Sequence, residues 1–251
     1  MSTNAYGQPV GPSVAGWSVR ERPSRAPLVG RYCRLEPVDA ERHAADLFDA
    51  YAEAPDDRDW TYLFADRPKD APACHAYVET LAASTDPLHF AIIESANSQA
   101  VGTAALMRIE PAHGVIEVGA IAYSPLLKHT RAGTEAMYVM MRRAFDELGY
   151  RRYEWKCDTL NAPSHAAARR YGFTFEGIFR QAIVYKGRSR DTAWYSITDL
   201  EWPRVRAGLE AWLAPDNFDG TGAQRRSLGE LRELACCDGR LTTEPDTPTH
   251  R

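Results

Sequence analysis

EVGAIAYSPLLKHTRAGTEAMYVMMRRAFDELGYRRYEWKCD, residues 117–158, is the stretch whose reading decides the fold. It opens inside an apolar run, Val115 to Tyr123, whose β-branched and small residues suit a strand. Ser124-Pro125 breaks that run, and a basic loop follows from Lys128 to Gly133. Thr134 to Leu148 then places Met137, Met140, Met141, Ala144, Phe145 and Leu148 at i, i+3, i+4 spacing, one apolar face of a helix. Gly149 ends the helix, and Arg152 to Asp158 reads as a second strand. Strand, helix, strand in this order is a crossover unit, which lays the two strands parallel.

Upstream, a short strand from Tyr32 to Val38 precedes Asp39, a helix cap, and a helix burying Ala44, Leu47, Phe48 and Tyr51. A second helix covers Ala71 to Ala83. Strands at His89–Glu94, Ala100–Ile109 and Val115–Tyr123, separated by Asn97-Ser98 and by Pro111 to Gly114, form an antiparallel meander. Downstream, the Asn161-Ala162-Pro163 turn starts a short helix from Ser164 to Arg170. Strands at Phe173–Tyr185, bent at Gly177, and Thr192–Thr198 precede a last helix, Glu201 to Leu213. An antiparallel start joined to one crossover gives an α+β domain with a mixed sheet.

Composition sets the limits of this domain. The 251 residues are 44% hydrophobic, 10% aromatic and 25% charged, as in a globular protein with a substantial core. Glycines and prolines crowd residues 1–27, which are expected to form a flexible arm. The folded unit is expected over 28–213, and 214–251 form an extension with a short helix from Ser227 to Leu234 and a mobile polar tail. A net charge of -4 implies no nucleic-acid or membrane footprint. No apolar run approaches the ~20 residues of a membrane span, and Met1 to Gly16 lacks a signal pattern, so a cytoplasmic location is expected. Five cysteines without CxxC spacing, two of them the adjacent Cys236 and Cys237, suit a reduced compartment. Seven scattered histidines offer no metal-site spacing, and no metal is expected.

The loop Lys128-His129-Thr130-Arg131-Ala132-Gly133 runs directly into a helix amino terminus, where free N–H groups make an anion site. Its cationic side chains sit where the helix dipole disfavours them by ~0.3–1 kcal/mol each, a conflict that an anionic partner would resolve. A solvated basic loop explains the same residues and stays open. Glu117, on a strand among apolar neighbours, can hold a raised pKa and act as a base; an ion-pair partner is the alternative. Alternation places it on one face with Gly119, Ile121 and Tyr123. His129 and His165 are expected to face solvent, and Trp155 and Phe145 to be core.

In sum, these segments resemble the GCN5-related N-acetyltransferases, the GNAT superfamily, and within it the RimJ/RimL-like group. The resemblance rests on the loop ending in Gly133, on Thr134-Glu135-Ala136, on Asn161-Ala162-Pro163-Ser164 followed by Tyr171-Gly172-Phe173, and on Gly187 to Asp191 with Tyr195-Ser196-Ile197 and Glu201-Trp202. Lys128 and Arg131 depart from the family's loop pattern. The resemblance implies a strongly twisted mixed sheet, splayed between the parallel strands Val115–Tyr123 and Arg152–Asp158, with helices on both faces. It also implies acetyl-CoA, or another acyl-CoA, as co-substrate. The pantetheine would pair with the backbone of Ile121, Ala122 and Tyr123, the pyrophosphate would sit on Lys128, His129, Thr130, Arg131, Ala132, Gly133 and Thr134, and Asn161 and Ser164 would complete the site.

The implied reaction is direct attack by a primary amine, of a small molecule or a peptide or protein N-terminus, on the acyl thioester. A backbone N–H near Ile121 would hold the oxyanion and Glu117 would be the base. The family's usual acid, a tyrosine four residues before the Gly of Gly-Phe, is Ala168 here. Ser164 takes that role by resemblance, with a helix-capping role as its alternative. A larger acyl-CoA or an aminoacyl-tRNA donor, a catalytically silent binding module and a homodimer all remain open; only the tRNA donor would bring in nucleic acid. Trp60, Tyr62, Phe64, Phe179 and Tyr185 are candidates for lining the acceptor pocket, with core packing as the alternative.

Overall fold

Asp39 accepts the N–H of Arg42 at 3.0 Å and Asp70 that of Ala73 at 2.8 Å, so α1 (Ala40–Ala52) and α2 (Ala71–Ala83) each begin at a capping aspartate. The computed structural model describes residues 2–238, with side chains to 235. Its strands are β1 (Ser2–Thr3), β2 (Pro9–Val10), β3 (Leu28–Val29), β4 (Cys33–Pro37), β5 (Leu88–Glu94), β6 (Ala100–Glu110), β7 (Val115–Tyr123), β8 (Arg152–Asp158), β9 (Thr174–Tyr185) and β10 (Arg188–Thr198). The remaining helices are α3 (Arg131–Arg142), α4 (Ala162–Tyr171), α5 (Trp202–Leu213) and α6 (Leu228–Asp238).

Eight strands form one mixed sheet in the order β3-β4-β5-β6-β7-β8-β10-β9, antiparallel except for β7 beside β8. The larger core lies on the α3 and α5 side and includes Phe90, Leu106, Ile116, Val118, Met137, Met140, Met141, Tyr153 and Trp155. A smaller core on the α1 and α2 side gathers Leu47, Tyr51, Trp60, Val78, Ile93 and Ala122. Helices thus cover both faces of a mixed α+β sheet, as expected. Phe48 stays half-buried at the rim of the smaller core.

Three local readings change. The crossover helix starts at Arg131, not Thr134, because the Thr130 side chain accepts the Gly133 N–H at 2.9 Å and caps it there. Its last turn is a π-helix over Arg143–Glu147. β10 extends back to Arg188 through an irregular pairing opposite Gln181, whose N–H bonds Asp191 at 2.7 Å.

The chain outside 28–213 also makes contacts. Trp17 donates to the Ala112 carbonyl at 3.0 Å, Arg20 N–H to Pro111 at 3.0 Å, and Tyr150 bonds the Glu21 carbonyl at 3.1 Å. At the other end, Leu228 enters the larger core and the Arg232 side chain reaches the Arg169 carbonyl at 3.2 Å. The tail from 239 onward and the side chains of Cys236 and Cys237 lie outside the described residues. Among the described residues, Cys33, Cys74 and Cys157 are free thiols, no cluster has metal-site geometry, and no helix is long and apolar enough to cross a membrane.

Candidate active site

β7 and β8 pair only from Val115 with Arg152 to Val118 with Trp155. Beyond that point both strands continue, to Tyr123 and Asp158, without pairing to each other. Their unpaired stretches line a continuous cavity of about 1680 Å³. A gap between parallel strands leaves backbone N–H and C=O groups free for an extended ligand with its own amides.

A bulge in β7 opens the gap and corrects one expectation. Ala120 has φ of 47°, and the pairing with β6 slips between Thr103 with Ala122 and Ala105 with Gly119. The extra residue reverses the alternation. Glu117, Gly119 and Ala122 therefore share the α1 and α2 face, where the missing Cβ of Gly119 leaves room for Met107 and Glu117. Ile121 and Tyr123 pack instead against the larger core. Strand periodicity cannot see a residue at positive φ, so it placed all four on one face.

Glu117 is 5% exposed. Its Oε2 accepts the Lys156 ammonium at 2.8 Å and lies 3.4 Å from Arg108, and Lys156 also reaches Glu154 at 2.6 Å. Burial pushes the Glu117 carboxyl above the ordinary carboxylate range, against the pull of Lys156 and Arg108. Oε1 makes no hydrogen bond among the described residues, and Glu117 lines the cavity.

Across the gap, Asn161 accepts the Ser164 N–H at 3.1 Å, and Ser164 Oγ accepts the Trp155 indole N–H at 3.0 Å. Accepting that bond leaves the hydroxyl proton available to another partner. Asn161 and Ser164 both line the cavity, and Ala168 is buried in the core. His165 is not solvent-facing. Its Nε2 faces the Thr159 carbonyl at 3.2 Å and its Nδ1 the Tyr195 hydroxyl at 2.6 Å. A carbonyl only accepts, so the proton belongs on Nε2 and the tyrosine donates to Nδ1.

At the other end of the cavity, the N–H groups of His129, Arg131 and Ala132 have no hydrogen bond among the described residues. Gly133 lacks a Cβ for an internal reason: one would stand 2.5 Å from the Leu127 carbonyl and 3.2 Å from the Tyr123 ring. The loop cations are only partly free. Lys128 pairs with Asp59, while the Arg131 guanidinium lies 5.1 Å from the Tyr32 ring and 4.6 Å from that of Phe218. Arg31 and Arg170 also line this end and, like Arg131, have no carboxylate within salt-bridge distance among the described residues. Arg31, Arg170, Tyr32 and Phe218 carry no local signal in the sequence; tertiary folding brings them to the loop. Trp60, Tyr62 and Phe64 line the cavity, Tyr185 packs on Phe64 at 5.7 Å, and Phe179, which does not line it, packs against Trp194 at 4.4 Å.

The family model for the acetyltransferase (GNAT) domain matches residues 33–174, more than half of the chain. This protein belongs to the GNAT acetyltransferases. The structure of a GCN5-related N-acetyltransferase from Brucella melitensis is 47% identical, with a TM-score of 0.86, over 88% of this chain and 100% of that one. Two more distant structures share the GNAT fold. One, from Vibrio cholerae, is named for ribosomal-protein-serine acetylation, at 19% identity and TM-score 0.59 over 69% of this chain and 97% of that one. The other is the microcin C7 self-immunity acetyltransferase MccE in complex with acetyl-CoA and AMP, at 19% identity and TM-score 0.57 over 67% and 93%. No curated protein matches the sequence. Membership makes this GNAT chain an acetyltransferase enzyme, and the parted β7 and β8 are its family's sheet geometry.

Proposed function

We propose that this GNAT protein transfers an acetyl group from acetyl-CoA to a primary amine of a small molecule or a peptide N-terminus by direct attack. The observation that carries the reading is the parting of β7 from β8 beyond Val118, with unpaired backbone on both sides of one cavity. The residues present fit the coenzyme. Ile121, Ala122 and Tyr123 offer an unpaired strand edge to the pantetheine, and the N–H groups of His129, Arg131 and Ala132, with Arg31 and Arg170 nearby, suit a pyrophosphate. Thr130 and Gly133 shape this cradle, Lys128 ties it to Asp59, and Thr134 binds Arg170 at 3.2 Å. The microcin immunity enzyme, solved with acetyl-CoA, shares the fold.

The coenzyme supplies an activated thioester; the chain supplies proton management and orientation. Glu117 Oε1, with no hydrogen-bond partner among the described residues, is the base for the attacking amine, directly or through a water. The Ser164 hydroxyl, held by Trp155, is the donor to the departing thiolate. A backbone N–H near Ile121 stabilises the oxyanion.

Thermal unfolding with and without coenzyme A tests the donor. At a hundredfold excess over its dissociation constant the coenzyme should add ~2.7 kcal/mol of stability. Acetyl-CoA should then turn over with members of a broad amine panel. No shift with millimolar coenzyme A or acetyl-CoA overturns the reading.

A further inference from the structure

Seven buried polar side-chain atoms lack a partner among the described residues, and three of them, Arg190 Nε, Thr192 Oγ1 and Trp194 Nε1, stand on alternate residues of β10. Alternation puts the three on one face. It is the face that carries Lys156, opposite Trp194, and Asp158, opposite Thr192, away from the larger core. Unmet polar groups are rare in buried positions, and one that stands at a cavity wall points to a ligand that meets it.

Arg190 is the member of this row that lines the cavity, and it is only 8% exposed. No carboxylate lies within salt-bridge distance of it among the described residues. Asp158, the acid on the neighbouring strand, is engaged elsewhere: it accepts the Tyr185 hydroxyl at 2.9 Å and the Leu160 N–H at 2.9 Å. The guanidinium lies 5.9 Å from the rings of both Phe64 and Tyr185. These rings limit the water around it without discharging it. Lys186, another cation near this wall, is held by Asp66 at 2.7 Å and by the Trp60 and Ala65 carbonyls.

We infer that Arg190 is a specificity-determining residue that binds a carboxylate on the acyl acceptor, so that the substrate is a compact amine bearing a carboxylate beside an apolar or aromatic body. A buried guanidinium without a partner selects a planar oxyanion through its fork of parallel N–H donors. One guanidinium on this wall, with Lys156 and Lys186 nearby already held by carboxylates, matches a carboxylate better than a phosphate dianion. The aromatic wall of Trp60, Tyr62 and Phe64 supplies the apolar part of the fit. This inference rests on the acyl-transfer reading for the identity of the acceptor, but the anion site itself is testable without turnover.

The experiment measures binding of benzoate, benzamide and phenyl phosphate to the full chain by calorimetry, with coenzyme A present to occupy the loop at the head of α3. Benzoate is expected to bind at least tenfold more tightly than benzamide, and Arg190→Gln to abolish that preference while Arg190→Lys keeps part of it. Equal binding of benzoate and benzamide by the unaltered chain overturns the inference without needing any variant. Tighter binding of phenyl phosphate than of benzoate overturns the carboxylate assignment, and an unchanged preference in Arg190→Gln overturns the residue assignment. Turnover separates this from the parent reading. If benzoate binds through Arg190 but no amine is acetylated, the acyl-transfer reading fails and the anion site stands. If amines turn over with no preference for amino acids over their carboxamides, the inference fails alone.

Discussion

The two faces of β8 differ as much as any two parts of the molecule. Tyr153, Trp155 and Cys157 enter an apolar core with Phe145, Tyr171 and Phe173, whereas Glu154, Lys156 and Asp158, on the same seven residues, are nearly as buried but charged. The apolar face is held by area removed from water and tolerates small errors. The charged face is held by mutual compensation: Lys156 stands between Glu117 and Glu154, 3.7 Å from the Trp194 ring. Removing one member there exposes the desolvation cost of the others. A buried network lining a cavity is therefore better explained by its use than by stability.

The largest break in this comparison should come from Lys156→Met, which leaves two buried carboxylates facing each other. A loss of about 3–5 kcal/mol in urea-unfolding free energy is expected, and adding Glu117→Gln should recover part of it. If the double variant is less stable than the single, the two residues do not compensate each other.

Next in size are the catalytic effects. Glu117→Gln should lower kcat about 100-fold with coenzyme affinity nearly unchanged. Because the carboxyl is raised by burial and must be ionised to act as a base, the rate of the unaltered enzyme should fall on the acid side at a pH above the ordinary carboxylate range. Ser164→Ala should lower kcat by a similar factor with the same unchanged affinity. An unchanged kcat in Ser164→Ala would reduce Ser164 to packing against Trp155.

A smaller effect comes from His89, another buried ionisable group, which strand alternation puts on the α1 and α2 face, at 5% exposure. Burial, with Arg25 nearby, holds its pKa down at about 4 against 6.5. Above pH 6.5 both folded and unfolded chains carry it neutral. Between 6.5 and 4 the unfolded chain binds the proton and the folded chain does not, so stability falls as pH drops, by up to about 1.4 kcal/mol per unit. Urea midpoints at pH 7 and pH 5 should diverge in the unaltered chain and converge in His89→Leu; equal divergence in both rules His89 out.

The smallest effect belongs to the apolar face. Among the described residues the Tyr153 hydroxyl is buried without a partner, so Tyr153→Phe should be neutral or stabilise by up to about 1 kcal/mol. A loss above 1 kcal/mol would show that this face also depends on a polar contact.

Much of this was legible in order along the chain. β7 and β8 have the bounds that their apolar runs predict, and the methionine stripe of Met137, Met140 and Met141 is fully buried, whereas the gathering of Glu117, Gly133, Asn161 and Ser164 at one cavity was expected only through the family resemblance. The bounds and the stripe are local facts: period, capping and spacing are written in neighbouring residues. What folding alone decided depends on contacts between distant segments. A single residue at positive φ, Ala120, moved Glu117 to the opposite face from Ile121. Asp59, some 70 residues from Lys128 in the chain, neutralises it, and Trp17, in a stretch that composition sets aside as an arm, donates to Ala112. In the sequence Arg190 is one residue of the segment Gly187 to Asp191, between two expected strands. Only tertiary burial on a face with no free acid turns it into a charge that needs a ligand, because pairing and desolvation are properties of a surrounding, not of a sequence position.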